Sequence, residues 1–123
     1  MAAEYSELTC WIDVCELERI APETGVCALI EGRQIALVRA GDAVFALDNL
    51  DPFAHAYVIS RGIVGDRAGR PKIASPMYKH AFDLETGRCL DDPAVSLETF
   101  PVRVRAGRVE LQAVAAVRGA RAA

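Results

Sequence analysis

The residues of this chain best suited to chemistry are two histidines and a carboxylate near its middle. His55 follows Asp51 closely, and His80 ends the segment that begins at Ser75. Imidazole and carboxylate both bind iron and zinc, so Asp51, His55 and His80 could form a mononuclear metal site. Their spacing matches no metal-binding motif. We therefore expect His55 to face solvent in a loop and His80 to cap a strand.

The four cysteines indicate packing rather than catalysis. They are Cys10, Cys15, Cys27 and Cys89. They form no Cys-x-x-Cys pair, and no histidine follows them at zinc-finger spacing. An isolated cysteine in a reducing compartment is usually a small buried side chain, and we expect that role for each.

The sequence contains no Ser-His-Asp or Cys-His arrangement for nucleophilic catalysis. The acidic pair Asp91-Asp92 lies next to a proline, and we expect both carboxylates to be solvated loop charges. No catalytic residue is therefore predicted in this chain.

The size and charge of the chain indicate a single soluble globular domain. It has 123 residues, of which 52% are hydrophobic and 25% charged, with a net charge of −3. A nucleic-acid-binding protein would show a basic stripe, and a membrane protein a long apolar run; neither is present. Residues 1–9 contain two glutamates and no apolar stretch, so no secretory signal is predicted and the expected location is the cytoplasm.

The elements that must position these residues are short strands, because apolar residues alternate with polar ones between frequent turn signals. Strands are predicted at residues 10–14, 26–30, 34–39, 43–48, 63–64, 72–74 and 80–84, with a final hairpin at 102–111. One helical turn is expected at 16–21, and the glycines and proline of residues 65–71 predict a loop. This pattern predicts an all-β sandwich or small barrel.

Two segments resemble the ligand loops of Rieske iron–sulfur domains. Residues 49–53 read Asn-Leu-Asp-Pro-Phe, and residues 74–79 read Ala-Ser-Pro-Met-Tyr-Lys. Rieske domains hold a [2Fe–2S] cluster by Cys-x-His in one loop and Cys-x-x-His in the other. The resemblance extends over roughly residues 11–111. It implies a Rieske-like antiparallel sandwich or partial barrel at residues 8–112, with a small hairpin-loop subdomain, here called the tip, at residues 49–82. By composition, residues 113–123 are an Ala- and Arg-rich tail that could form a short helix or a frayed end, and we favour the frayed end.

The four positions that would bind the cluster carry other side chains. They are Asp51, Phe53, Ser75 and Tyr78. A phenyl ring donates no electron pair to iron, and carboxylate, hydroxyl and phenol oxygens are hard donors that suit this centre poorly. We therefore expect no [2Fe–2S] cluster and no other metal in this chain. Phe53 and Tyr78 are expected to fill the vacated space, while Asp51 and Ser75 accept backbone N–H groups.

Within the Rieske superfamily the chain resembles the small subunits of assimilatory NAD(P)H-dependent nitrite reductases. The Ser-Arg-Gly sequence at residues 60–62 and the Ser-Pro-x-Tyr-Lys sequence at residues 75–79 are the specific pieces. The resemblance implies a partner, a large subunit that carries FAD, a [4Fe–4S] cluster and sirohaem and reduces nitrite to ammonia. The small subunit would dock on it without contributing a catalytic group.

The tip has the composition of a contact surface, since it combines apolar, Met and Arg residues. The residues expected to contact the partner are Pro52, Arg61, Pro76, Met77, Lys79 and His80. Two other functions stay open. One is a Rieske-type ferredoxin that carries electrons to an oxygenase, which would need two Cys and two His at the tip. The other is a stand-alone Rieske-like binding module.

Overall fold

The computed structural model describes residues 11–112, which form short antiparallel strands and, within that range, no α-helix. The strands are β1 (Ile12–Glu16), β2 (Thr24–Ile30), β3 (Arg33–Ala40), β4 (Ala43–Asp48), β5 (Leu50–Asp51), β6 (Ala56–Tyr57), β7 (Ile63–Arg67), β8 (Arg70–Ala74), β9 (Ala81–Asp83), β10 (Thr99–Phe100), β11 (Val102–Arg105) and β12 (Arg108–Leu111). Single turns of 3-10 helix occur at Leu17–Arg19 and Ile59–Arg61. Cys10 and the predicted tail at residues 113–123 lie outside the described residues.

The strands form a base of two sheets and a tip of two smaller ones. In the base, one sheet has the order β1-β12-β11 and the other the order β10-β4-β3-β2. In the tip, β5 pairs with β6, and β7, β8 and β9 form a three-stranded sheet. All of these pairings are antiparallel. The predicted all-β sandwich with a hairpin-loop subdomain is confirmed.

Strand β3 is the wall shared by the two hydrophobic cores. Its four central residues, Ile35, Ala36, Leu37 and Val38, are fully buried. Because side chains alternate across a strand, Ile35 and Leu37 enter the core of the base, while Ala36 and Val38 enter the core beneath the tip. The base and the tip are therefore supported by one strand.

Most of the predicted strands are present, with small shifts at their ends. Strand β4 has the predicted bounds, and the hairpin turns Glu31-Gly32 and Ala106-Gly107 lie where the glycines indicated. Both residues of each turn have positive φ, which suits the right-handed twist of the flanking strands. The expected helical turn is the 3-10 turn at Leu17–Arg19.

The loop predicted at residues 65–71 is wrong, because this segment continues strands β7 and β8. Only Ala68 and Gly69 form the turn, with φ values of 54° and 83°. Pro71 pairs with Asp66 near the start of β8, where the missing N–H is tolerated. The carbonyl of Pro71 accepts a hydrogen bond from the Leu84 N–H at 2.9 Å.

Asp83 closes the turn after β9 and is almost fully buried. Its Oδ1 accepts hydrogen bonds from the N–H groups of Glu85 at 2.8 Å and Thr86 at 3.1 Å, and Oδ2 accepts one from Arg70. Burial by itself would raise the pKa of Asp83, but the hydrogen bond from Arg70 and the two N–H donors outweigh it. The pKa of this carboxyl is therefore lowered in the folded protein.

Asp83→Asn should reduce stability at neutral pH and lose its effect in acid. The folded state holds the Asp83 pKa below its unfolded value of about 3.9, so the unfolded chain takes up the proton first as pH falls. The stabilisation is complete above about pH 5 and declines as pH falls below about 4. Urea unfolding followed by circular dichroism from pH 7 to pH 3 measures the difference between variant and wild type. Glu18→Gln is the control, because Glu18 is exposed and its side chain forms no ion pair or hydrogen bond within the described residues. A difference that stays constant with pH would contradict the assignment.

Candidate functional site

The first tip loop is organised by the carboxylate of Asp51, which is fully buried at the end of β5. Its Oδ1 accepts hydrogen bonds from the N–H groups of Phe53 at 2.8 Å and Ala54 at 3.2 Å. The Asp51 carbonyl accepts a third bond, from the His55 N–H at 2.8 Å. This is the turn that a short acidic side chain forms with its own loop, as predicted.

The second tip loop is joined to the first by a hydrogen bond between side chains. The Ser75 hydroxyl, 1% exposed, donates to Asp51 Oδ2 across 24 residues of sequence. Ser75 Oγ in turn accepts a bond from the Met77 N–H at 3.3 Å, and the Ser75 N–H donates to the His80 carbonyl at 2.9 Å. Asp51 and Ser75 thus form a clasp between the two loops, and the predicted backbone contacts of both residues are confirmed.

The other two predicted ligand positions, Phe53 and Tyr78, have different surroundings. Phe53 is half-buried and stacks on His80, with ring centroids 3.7 Å apart and planes inclined by 7°. The prediction that Phe53 fills space beside the loops therefore holds. Tyr78 is 62% exposed, so the prediction that it also fills that space is wrong. His80, not Tyr78, is the ring that packs on Phe53.

The two histidines occupy different environments and do not form a metal site with Asp51. His55 is exposed, as expected, whereas His80 precedes β9 and packs its ring on Phe53. Among residues 11–112, no group of three or more His, Cys, Asp or Glu side chains could hold a metal ion. The structure therefore does not bring Asp51, His55 and His80 together as the three-ligand group considered from the sequence.

Asn49, 2% exposed, positions the first loop in a way that sequence analysis missed. Its Oδ1 accepts a hydrogen bond from the Ser60 N–H at 2.7 Å, and its carbonyl accepts one from the Ile59 N–H at 3.1 Å. Its Nδ2 donates to Gln34 Oε1 at 3.1 Å. Asn49 therefore connects β3, the first loop and the 3-10 turn that carries Arg61. Its place directly before the loop is the only sequence signal that could have indicated this role.

Two further predictions need correction. Cys89 is buried as expected, but Cys15 is only half-buried and Cys27 is exposed, with its thiol 3.6 Å from Gln34 Oε1. Asp91 is not a free solvated charge, because it accepts a bond from the Ala81 N–H at 2.8 Å and pairs with Arg67 at 3.2 Å. The hydrogen bond from the Ala81 N–H lowers the pKa of Asp91, and Arg67 lowers it further. Together they outweigh partial desolvation, which would raise it.

The side chains at the four predicted ligand positions do not fit the ligand set of a Rieske cluster. Such a cluster needs two thiolates on one iron and two imidazoles on the other. The Asp51 carboxylate and the Ser75 hydroxyl bond to each other and to backbone N–H groups, and Phe53 has no donor atom. The phenol of Tyr78 belongs to a side chain at the surface. The side chains at the four ligand positions are therefore not the donors that such a cluster needs.

The fold and the paired loops define the class of this protein. Residues 10–112 match the sequence family described as the Rieske-like [2Fe-2S] domain.

The relatives of the chain define it further. The nitrite reductase (NADH) small subunit of Escherichia coli strain K12 is 41% identical over 104 residues, which cover 83% of this chain and 96% of that protein. The solution structure of the nitrite reductase [NAD(P)H] small subunit from Erwinia carotovora is 43% identical, with a TM-score of 0.73 over 85% of this chain and 82% of that one. The chain belongs to the nitrite reductase small-subunit family of Rieske-like domains.

Two other relatives bear on function. The nitrite reductase [NAD(P)H] large subunit of Klebsiella oxytoca is 43% identical over 99 residues, which cover 80% of this chain and 10% of that protein. The ferredoxin component of the naphthalene 1,2-dioxygenase system of Pseudomonas aeruginosa is 34% identical over 101 residues, 80% of this chain and 91% of that protein. Between residues 11 and 112 the structure contains no helix with the length and apolar character of a membrane span.

Ser75→Ala should destabilise the domain, because it removes the donor that joins the two loops and leaves Asp51 Oδ2 buried with one partner fewer. An unsatisfied buried acceptor typically costs about 1–3 kcal/mol. Urea unfolding at pH 7 measures this loss. Ser96→Ala is the matched control, since Ser96 is exposed and its hydroxyl forms no hydrogen bond within the described residues. Equal stability of the two variants would show that the clasp contributes nothing.

Proposed function

We propose that this chain is the non-catalytic small subunit of a cytoplasmic, NAD(P)H-dependent assimilatory nitrite reductase, the enzyme of nitrate assimilation that converts nitrite to ammonia. Its partner would be the large subunit, which carries FAD, a [4Fe–4S] cluster and sirohaem. The chain itself would carry no [2Fe–2S] cluster. Its identity of 41% to a nitrite reductase small subunit, over 96% of that protein, supports the assignment.

The observation that carries the cluster-free part of the proposal is the clasp. Asp51 and Ser75 occupy the two thiolate positions and are bonded to one another, and the two imidazole positions carry Phe53 and an exposed Tyr78. Side chains that satisfy each other in this way leave no set of soft donors for a pair of irons. The chain would therefore contribute binding, not electron transfer.

The match to a large subunit supports association with that partner. A segment similar to this chain makes up 10% of the Klebsiella oxytoca large subunit. A domain that is fused to its partner in one organism is commonly a separate subunit of the same assembly in another. We therefore place this domain in physical contact with the catalytic subunit.

Copurification tests the partner. The affinity-tagged chain, expressed in its own host, should bring down a large chain with flavin and sirohaem absorption. Deletion of the chain should abolish NAD(P)H-dependent nitrite reduction in extracts, and adding back the purified chain should restore it. A chain that stays alone in extracts, with nitrite reduction unchanged after deletion, would contradict the proposal.

Iron and sulfide analysis of anaerobically purified protein tests the second candidate, a Rieske-type ferredoxin, which the naphthalene dioxygenase ferredoxin match favours. We expect far less than one iron per chain, because the thiolate and imidazole ligands are missing. Two irons and two sulfides per chain, with broad visible absorption, would establish the ferredoxin instead. Specific binding of an unrelated ligand, without a reductase subunit, would favour the stand-alone binding module.

A further inference from the structure

The tip differs in charge from the rest of the chain. Residues 49–82 contain five Lys and Arg residues and two Asp residues, which gives a net charge of +3. The whole chain has a net charge of −3, so the remaining residues together carry −6. One of the two tip acids, Asp51, is fully buried and presents no carboxylate to solvent. Residues 49–82 are therefore a net-cationic segment of an acidic chain, although Asp83 and Asp91, just outside it, pair with two of its arginines.

Two of the five tip cations are exposed and unpaired within the described residues, and a third, Lys72, is half-buried. Arg67 and Arg70 are neutralised by ion pairs with Asp91 and Asp83. Arg61 and Lys79, in contrast, are exposed, and neither forms an ion pair with any residue of the described range. Charges of this kind raise the rate of association with a surface of opposite sign.

The apolar part of the tip lies beside these cations. Three of the six exposed large hydrophobic side chains of residues 11–112 lie between Arg61 and Lys79: Ile63 at 69%, Met77 at 49% and Tyr78 at 62% exposure. Gly62 packs so closely on the Ala74 carbonyl that a Cβ would clash with it. Ile63 also pairs with Ala74, so the segment that carries Arg61 and Ile63 adjoins the start of the Ser75 loop.

The loop that presents these residues is ordered before any partner arrives. Its first residue is fixed by the clasp, and its last residue, His80, stacks on Phe53. A preformed loop loses little conformational entropy when it binds, so more of the contact energy appears as affinity. Exposed aromatic, Met and Arg side chains on a rigid support are typical of interface anchors.

We propose that the tip docks on the large subunit through a docking face consisting of Arg61, Ile63, Pro76, Met77, Tyr78 and Lys79. Met77 and Tyr78 enter an apolar depression of the partner, and Arg61 and Lys79 face carboxylates around it. The partner surface is thus apolar at its centre and acidic at its rim. This inference rests on the proposed function, since it takes the nitrite reductase large subunit as the occupant.

The test compares charge and apolar variants of the purified chain for binding to the purified large subunit, by biolayer interferometry from about 50 to 500 mM salt. Arg61→Glu combined with Lys79→Glu should weaken binding at least tenfold at low salt, mainly through the association rate, and the difference should shrink as salt rises. Met77→Ala combined with Tyr78→Ala should weaken binding at least tenfold at every salt concentration, mainly through faster dissociation.

Matched controls come from the final hairpin of the base. Arg105 is exposed and unpaired within the described residues, and Val104 is 39% exposed. Arg105→Glu and Val104→Ala should bind as tightly as wild type. Circular dichroism and thermal unfolding show whether each variant keeps the wild-type fold. We expect that it does, because the residues substituted in the test and control variants are all exposed.

The outcomes separate this inference from the proposed function. If the wild-type chain binds the large subunit and the tip variants bind equally well, the docking face is wrong while the subunit assignment stands. Tighter binding after charge reversal would show that the partner surface is not acidic, and equal losses in the controls would show that the effect is not specific to the tip. If the wild-type chain does not bind, the proposed function and the docking face are both overturned.

Discussion

The hydrogen bond between Ser75 and Asp51 is the contact on which the tip depends, because it joins two loops that lie far apart in the sequence. A buried carboxylate is stable only when donors surround it, since its desolvation is costly. Here the donors are the Ser75 hydroxyl and two N–H groups of the first loop. The hydrogen bond between Ser75 Oγ and Asp51 Oδ2 therefore stabilises both loops at once.

The rigidity of the tip continues into the body of the domain. Strand β3 is buried on both faces and contributes to the core of the base and to the core beneath the tip. Asn49 then connects Gln34 of β3 to the backbone of Ser60, next to Arg61. Exposed side chains of the tip are thus carried by well-packed backbone, as expected for a surface that binds without rearranging.

Much of the base could be predicted from the sequence, because local signals determine it. An uninterrupted apolar run from Ala43 to Leu47, bounded by turn residues, marks β4, and a glycine with positive φ marks each two-residue hairpin turn. The same logic failed at residues 65–71, where two glycines and a proline suggested a loop but the pairing of β7 with β8 continues through Pro71. Turn residues show where a chain can reverse but do not show how far pairing continues.

The candidate site was predictable in position but not in its contacts. The loops were recognisable from residues 49–53 and 74–79, and the backbone contacts of Asp51 and Ser75 follow from their short polar side chains. The exposure of Tyr78 and the stacking of His80 on Phe53 depend on how the two tip loops pack against each other. No local sequence pattern encodes that packing. The exposure of Cys27 was likewise not predictable from local sequence. Cys27 lies on β2, which is an edge strand and has a neighbouring strand on one side only.

The clasp also bears on how such a subunit matures in the cell. An iron–sulfur centre must be assembled elsewhere and inserted, and oxygen can damage it before or after insertion. A serine hydroxyl and an aspartate carboxylate are supplied by translation and meet as soon as the chain folds. In a chain that carries no cluster, as proposed above, closure of these loops requires neither iron nor an oxygen-sensitive step.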